Sequence, residues 1–382
     1  MYDVLIVGAG PAGATVATIL AKRLHRVALV DQQKIPVPGP RAIWLGARTP
    51  DLLGEIDVSL DGVFENPVET VILHSADLSS RIQAPLDPGA PGPPAYLADG
   101  AAVNAGLVKA ATAAGVELVP NTTITDVMLG EAHVELERES GSALRGRMLV
   151  GAWGAHSTFT SRVGVVPPSD EGALWAAEIE VDVEAPEFAG TKETDQPVVH
   201  CGPTAELILG LEDQGIGYVL RDATRLRIAV HARSASADMG VRLRQLCARL
   251  RQAGVIPVDL DPRVAGATVR RSSACAALEF DSHVGKHALV IGEAGGFVAG
   301  MSNEGVYPAM WSAKIAAEVM DEALSADSSQ DHLMQFDTRW RTVMADYLRS
   351  PQTELQFLLP LIFSKEPMAV RMANAFFLGD NI

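Results

Sequence analysis

Asp3-Val-Leu-Ile-Val-Gly8-Ala-Gly10-Pro-Ala-Gly13, followed by an apolar helix and then Val27-Ala-Leu-Val-Asp31, is the stretch whose reading decides the fold. A short buried strand runs into Gly8-x-Gly10-x-x-Gly13, a helix follows, and a second apolar strand ends in an acid about 20 positions on. That is the dinucleotide fingerprint of a Rossmann-like α/β domain. Gly8 makes the tight turn, Gly10 lets the backbone approach a pyrophosphate, and Gly13 lets the helix pack closely on the sheet. The phosphates sit on the helix N-terminus, where Ala12 belongs to the first turn, and Asp31 is placed for ribose hydroxyls. Pro11, inside that turn, costs no intrahelical bond. The fingerprint alone does not separate FAD from NAD.

A chain of 382 residues exceeds a single ordinary core and suits two joined domains. With 48% hydrophobic and 20% charged residues it has ample material for globular cores. The net charge of −16 argues against a nucleic-acid partner and against docking on anionic lipid. Small anionic ligands must then be held by backbone donors and single arginines. Cys201, Cys247 and Cys275 have neither metal-ligand spacing nor an even count, so reduced thiols, no metal and a cytoplasmic location are expected. No leader is read ahead of the first strand.

Gln32 to Pro50 carries prolines and glycines and reads as a loop containing Arg41-Ala-Ile-Trp-Leu-Gly46. Arg41 could clamp a phosphate or a flavin edge bidentately, or be an ordinary surface arginine. Val68 to Ala84 reads as a strand pair. Tyr96 to Asn104, the alanine-rich helix after it and Gly115 to Val119 read as the next unit of the nucleotide sheet. Val127 to Arg138 and Arg147 to Gly151 continue as a hairpin and a buried strand. From Ala173 the strands 174–183, 206–211, 217–221 and 226–231 follow without intervening helices, which predicts an antiparallel sheet carrying the substrate. Val241 to Gln252 is an amphipathic helix with Val241, Leu243, Leu246, Cys247 and Leu250 on its apolar side and arginines on a solvated face. Ala288-Leu-Val-Ile291 is a buried strand, Gly292 to Gly305 a glycine-bearing loop and Val306 to Leu324 a helix, whose N-terminus is a second anion- or carbonyl-binding end. The apolar run Leu355 to Phe363 is too short for a bilayer and is broken by Pro360, so core packing or a lid over an apolar substrate is expected. The expected domains are 1–172, with a β insertion around 65–95, and its return at 269–330 for the cofactor, 173–268 for the substrate, and a helical segment 331–382.

With these stretches together, the chain resembles the FAD-dependent oxidoreductases of the p-hydroxybenzoate hydroxylase structural class, and within it most the geranylgeranyl reductase family. The most specific match is Gly292-Glu-Ala-Gly-Gly-Phe297 with Glu304-Gly305-Val-Tyr-Pro-Ala309, where the family has Gly-Asp, a loop, and Gly-Glu-Gly-Ile before a helix. The resemblance implies that Glu293 bonds the ribityl chain and that the backbone of Glu304, Gly305 and Val306 holds the flavin's pyrimidine end. The departures are Trp153-Gly154 where related hydroxylases have Asp-Gly, Gly100 in place of an arginine, Ala299-Gly300 for Asn-Pro, and Leu45-Gly46 for Cys-Gly. Because that aspartate helps hold FAD and NADPH, Trp153 implies slow reduction by NADPH and a separate donor, a ferredoxin or a flavin reductase.

The resemblance implies that the flavin either delivers hydride to a double bond of an apolar, isoprenoid-like substrate or, with oxygen, hydroxylates an aromatic ring. Halogenation is the lesser variant, because the paired-tryptophan motif of flavin-dependent halogenases is absent. A third reading is a flavin-binding protein that has lost catalysis. No catalytic acid or base is assigned; Tyr218, His200, His231 and Trp44 lie on elements that could face the flavin, and packing is the plainer role for each.

Overall fold

The computed structural model describes residues 1–37, 42–86, 95–155, 157–169, 173–183, 204–222, 224–233, 238–256, 261–326, 329–350 and 354–379. The strand Tyr2–Val7 lies at the heart of the first sheet, hydrogen-bonded in parallel to Val27–Val30 on one side and to Leu144–Gly151 on the other. Val27–Val30 continues outward to Glu117–Val119, and Leu144–Gly151 to Ala288–Val290, both in parallel. Such a strand is buried on both faces, which is why it reads as an unbroken apolar run. Its side chains alternate: Val4 and Ile6 enter the core beneath the helices, Leu5 and Val7 the core on the opposite face. The helices Pro11–Lys22 and Val306–Ser325 pack side by side on that first face, so two helix N-termini lie on one side of one sheet.

The second sheet runs Arg270–Ala274, Leu174–Asp182, Arg225–Ala232, Gly215–Arg221, Thr204–Leu211, Thr70–Ser75, Arg81–Pro85. The central strands are antiparallel, and Thr204–Leu211 pairs in parallel with Thr70–Ser75, so strands from far earlier in the chain complete the sheet. One face, with Ile179, Val219, Ile228 and Val230, is covered by the helix Met239–Gln252. The other, with Leu73, Leu207, Tyr218 and Ala229, is covered by the C-terminal helices Leu355–Ser364 and Glu366–Leu378. Among the described residues no helix is long and apolar enough to cross a membrane.

Several local expectations change. Gln32 to Pro50 is not all loop, since Ile43–Gly46 is a strand and Arg48–Glu55 a helix. Ile43–Gly46, Ala95–Ala98 and Asn66–Val68 form a separate three-stranded sheet, so the Tyr96 strand is not part of the nucleotide sheet, although Glu117–Val119 is. Val241 is 49% exposed and leaves the apolar side of its helix, where Met239 takes its place. The arginines of that helix do more than face water. Arg244 donates to the carbonyls of Val264, Ala265 and Ala267, and Arg242 to that of Glu212, tying loops to the sheet. The run Leu355 to Phe363 is helical with Pro360 inside it; Leu355 and Ile362 are buried, but Phe357 stands 69% exposed, so it packs as a half-covered roof rather than as core.

Candidate functional site

The first glycine turn is built by backbone contact. Gly8 has φ +105°, and a Cβ there would lie 2.1 Å from the Ala152 carbonyl oxygen; one on Gly13 would lie 1.8 Å from the Gly8 carbonyl oxygen. Neither position tolerates a side chain. Gly10 is different: a Cβ there would meet no atom within 4 Å and would project into open space above the helix. No side chain caps Pro11–Lys22, so its first-turn N–H groups face that space. An open cradle that only a Cβ would fill, beside uncapped donors at a helix N-terminus, fits a pyrophosphate. Asp31 closes the turn, its Oδ2 accepting from Ala9 N–H and its Oδ1 from Gln33 N–H, both at 2.8 Å. Each carboxylate oxygen keeps a further lone pair for a ribose hydroxyl.

The second glycine loop meets the first at one point: a Cβ on Gly292, which has φ +61°, would lie 2.7 Å from Ala12 Cβ. Ala12 is therefore buried packing between the two loops. Glu293 is exposed and directs Oε2 toward the turn at Gly154. Trp153 folds back on its own strand, donates from Nε1 to Thr160 Oγ1 at 2.9 Å and packs on Phe159. The departure from aspartate at this position is thus a packing residue. At Gly100 the helix Gly100–Ala113 is capped by Asp99, which also holds Arg225 of the second sheet at 2.8 Å.

Ahead of Val306–Ser325, Glu304 turns its side chain forward onto the helix. Its Oε1 accepts from Val306 N–H at 2.7 Å and Tyr307 N–H at 2.8 Å, and Oε2 accepts from the Tyr347 hydroxyl at 3.4 Å. Glu304 is 6% exposed, and burial pushes its carboxyl up to about 7 despite these donors. The resemblance pointed only to the backbone here, so this use of the side chain went unseen in the sequence. His283 was missed as well. Fully buried, it sets Nδ1 against Asp337 Oδ1 at 3.2 Å and Nε2 against the Gly295 carbonyl at 2.8 Å, inside a box of Phe280, Phe297, Phe336 and Trp340. It latches the helix Gln335–Leu348 to the second glycine loop.

Trp44, Tyr218 and His231, which sequence reading left scattered, come together. Trp44 packs on Tyr218 (5.2 Å), Phe376 (5.5 Å) and Phe377 (5.7 Å), and His231 stacks on Phe376 (6.1 Å). His231 Nε2 lies 3.1 Å from the Met301 carbonyl, so this aromatic wall shares an edge with the second glycine loop. The carbonyl requires a proton on Nε2, leaving the lone pair on Nδ1. Burial pushes His231 down to about 4 and Tyr218 up to about 12, so both are neutral at pH 7. Arg227 stands 5.6 Å from the Tyr218 ring, donating to the Ala42 carbonyl at 2.6 Å and paired with Glu178. Trp44 Nε1, His231 Nδ1 and Arg227 Nε are buried without a hydrogen-bond partner among the described residues. Arg41 and His200 lie outside the described residues.

Comparison with known proteins gives this geometry its setting. The chain is 26% identical over 378 residues to digeranylgeranylglycerophospholipid reductase 1 of Methanopyrus kandleri, covering 96% of this chain and 92% of that one. A geranylgeranyl bacteriochlorophyll reductase-like protein from Thermoplasma acidophilum shares the fold at a TM-score of 0.74 and 16% identity, covering 99% of this chain and 97% of that chain. The flavin-dependent halogenase CmlS shares it at 0.67 and 18%, over 97% of this chain and 70% of that chain. The signature of the FAD binding domain matches residues 1–231, which include the Gly10 cradle and Asp31, and the chain therefore belongs to this family of FAD-dependent oxidoreductases.

Proposed function

We propose that the protein reduces a carbon-carbon double bond in a largely apolar, isoprenoid-like substrate. The observation that carries this reading is the wall of Trp44, Tyr218, Phe376 and Phe377, roofed by C-terminal helices, at the edge of the second glycine loop. These rings are now buried against the C-terminal helices, so a substrate would enter by moving that roof, and apolar area would drive its binding at about 25 cal/mol per Å² buried with few polar anchors. The likeness to a digeranylgeranylglycerophospholipid reductase supports it.

In this reading Gly8, Gly10 and Gly13 seat the pyrophosphate of FAD, with Ala12 wedging the helix against Gly292, and Asp31 takes the ribose. Glu293 would face the ribityl chain, Gly305 and Val306 would lie at the pyrimidine end with the Val306 N–H already held by Glu304, and Arg41 would serve a phosphate or the ring edge. When bound, FAD supplies the hydride chemistry. The chain's own part would be to bind, orient and exclude water: the aromatic wall would hold the apolar substrate beside the flavin, and Tyr218, kept protonated by burial, has a proton to give. Electrons come from a separate donor, a ferredoxin or flavin reductase, because Trp153 is committed to packing. Rapid anaerobic bleaching by NADPH alone would contradict that. A cytoplasmic location goes with this reading.

The orphaned Trp44 Nε1 and Arg227 Nε favour a second reading, an electron-rich aromatic substrate with a polar substituent that is hydroxylated. The two separate cleanly. The enzyme is reduced chemically, given polyprenyl or phenolic substrates with and without oxygen, and the products are weighed. A gain of two hydrogens without oxygen supports reduction; an oxygen-dependent gain of one oxygen atom overturns it.

A further inference from the structure

A helix N-terminus is a favourable place for negative charge, because its free N–H groups and its dipole both point at the anion. At Val306–Ser325 that place is filled from within. Glu304 Oε1 takes the N–H groups of both Val306 and Tyr307, at 2.7 and 2.8 Å, in a setting only 6% exposed. The reduced isoalloxazine ring also carries a negative charge at its pyrimidine end, and under the cofactor placement above that end meets this same helix terminus. Two like charges cannot share one buried anion seat without a large penalty.

We propose that Glu304 is the charge-compensating group of the flavin site: its carboxylate caps the helix while the flavin is oxidised and takes up a proton when the flavin is reduced. The step balances. Two electrons from the separate donor, or from dithionite in the test, and one proton go to the ring, and a second proton converts the Glu304 carboxylate to a carboxylic acid. This rests on the placement of FAD given under the proposed function.

The groups facing Glu304 suit the role. Tyr347 from the helix Gln335–Leu348 donates to Oε2, Tyr307 follows on its own helix, and Ser302 Oγ accepts from its backbone N–H at 3.3 Å. Arg48, from the helix Arg48–Glu55, stands 5.6 Å over the Tyr347 ring rather than on the carboxylate itself. Glu304 therefore has hydrogen-bond donors but no ion pair among the described residues to hold it ionised, and burial brings its proton affinity near neutrality. Tyr347, raised well above its ordinary value by burial, stays protonated and can relay. It packs on Tyr307 (5.3 Å) and Trp311 (6.3 Å), which line a cavity of about 610 Å³ together with Arg48, Asp51 and Glu55. Asp51 and Glu55 are exposed, so protons can enter from that side.

The test is a spectroelectrochemical titration of the FAD-loaded protein against pH, with infrared difference spectra of the reduction. Above neutrality the wild type is expected to take up two protons per two electrons, a slope of about 59 mV per pH unit, and Glu304→Gln one proton, about 30 mV. Gln keeps an oxygen for the helix cap, so the fold is retained. A protonated-carboxyl band should appear on reduction of the wild type only. Tyr347→Phe, should the first variant not fold, is expected to move the steep region to higher pH. Equal slopes in wild type and Glu304→Gln with no carboxyl band overturn the role of Glu304 while leaving the cofactor placement standing. Gly305→Val that binds FAD with an unchanged spectrum and affinity overturns the placement, and the role with it.

Discussion

Replacing Gly10 by valine separates binding from folding at the fingerprint. A Cβ at Gly10 has no neighbour within 4 Å, and the residue's φ of −74° is one any L-residue adopts. The apo-protein should therefore lose only the difference between glycine and a β-branched residue at an N-cap, about 1 kcal/mol. With FAD the branched side chain would stand where the pyrophosphate must approach the uncapped N–H groups. Displacing it forfeits at least two charge-assisted hydrogen bonds at about 1.5 kcal/mol each, roughly 3 kcal/mol or more than a hundredfold in Kd. Gly13→Val is the control. Its Cβ would fall 1.8 Å from a backbone oxygen, so it should destabilise the apo-protein itself. Flavin-fluorescence titration gives the Kd, and urea unfolding of apo-protein gives the stability. Gly10→Val binding FAD within about threefold of wild type would refute the cradle.

Three further outcomes are expected. Asp337 is held well below the usual carboxylate range, its burial outweighed by hydrogen bonds from His283 and Ser282, so its stabilisation is present at neutral pH and lost as pH falls below about 4. Asp337→Asn should cost about 3 kcal/mol in denaturant at pH 7 and the gap should narrow by pH 3; a constant gap would count against the latch. Glu304, raised to about 7, contributes the opposite way: its stabilisation is present below the ordinary glutamate value and lost as pH rises through about 7. Apo Glu304→Gln should thus gain on the wild type between pH 5 and pH 8, by up to about 3 kcal/mol, and parallel curves would contradict the raised value. Trp44→Phe keeps the aromatic wall but deletes the orphaned Nε1 donor, so KM for a polyprenyl substrate should stay within about twofold, whereas a substrate that accepts this bond should lose about tenfold.

What the sequence disclosed follows from how local each constraint is. Gly8, Gly13 and Gly292 are legible because each backbone approach admits no side chain, and that need is written at the position itself. Ile43–Gly46 was hidden because four residues between prolines and glycines show no period. The partnership of Thr70–Ser75 with Thr204–Leu211, and the meeting of Trp44, Tyr218 and His231, are products of folding that no spacing encodes. Val241 marks the limit of periodicity, since helical phase gives a face but not where the neighbour ends. Glu304 shows the same limit for motifs. A matched acid-glycine pair reported where the chain turns and was silent on where the carboxylate goes.

The His283–Asp337 latch also orders events in time. A chain emerging from the ribosome completes the Gly10 turn early, and the strand Tyr2–Val7 then waits for Leu144–Gly151 and, much later, for Ala288–Val290. Even then the second glycine loop lacks the carboxylate on which His283 is anchored, because Asp337 arrives with the helix Gln335–Leu348. FAD binding is thereby expected to await the helix Gln335–Leu348. A nascent chain stalled before Asp337 should be colourless in the presence of FAD, and one extended through residue 379 and then released should turn yellow.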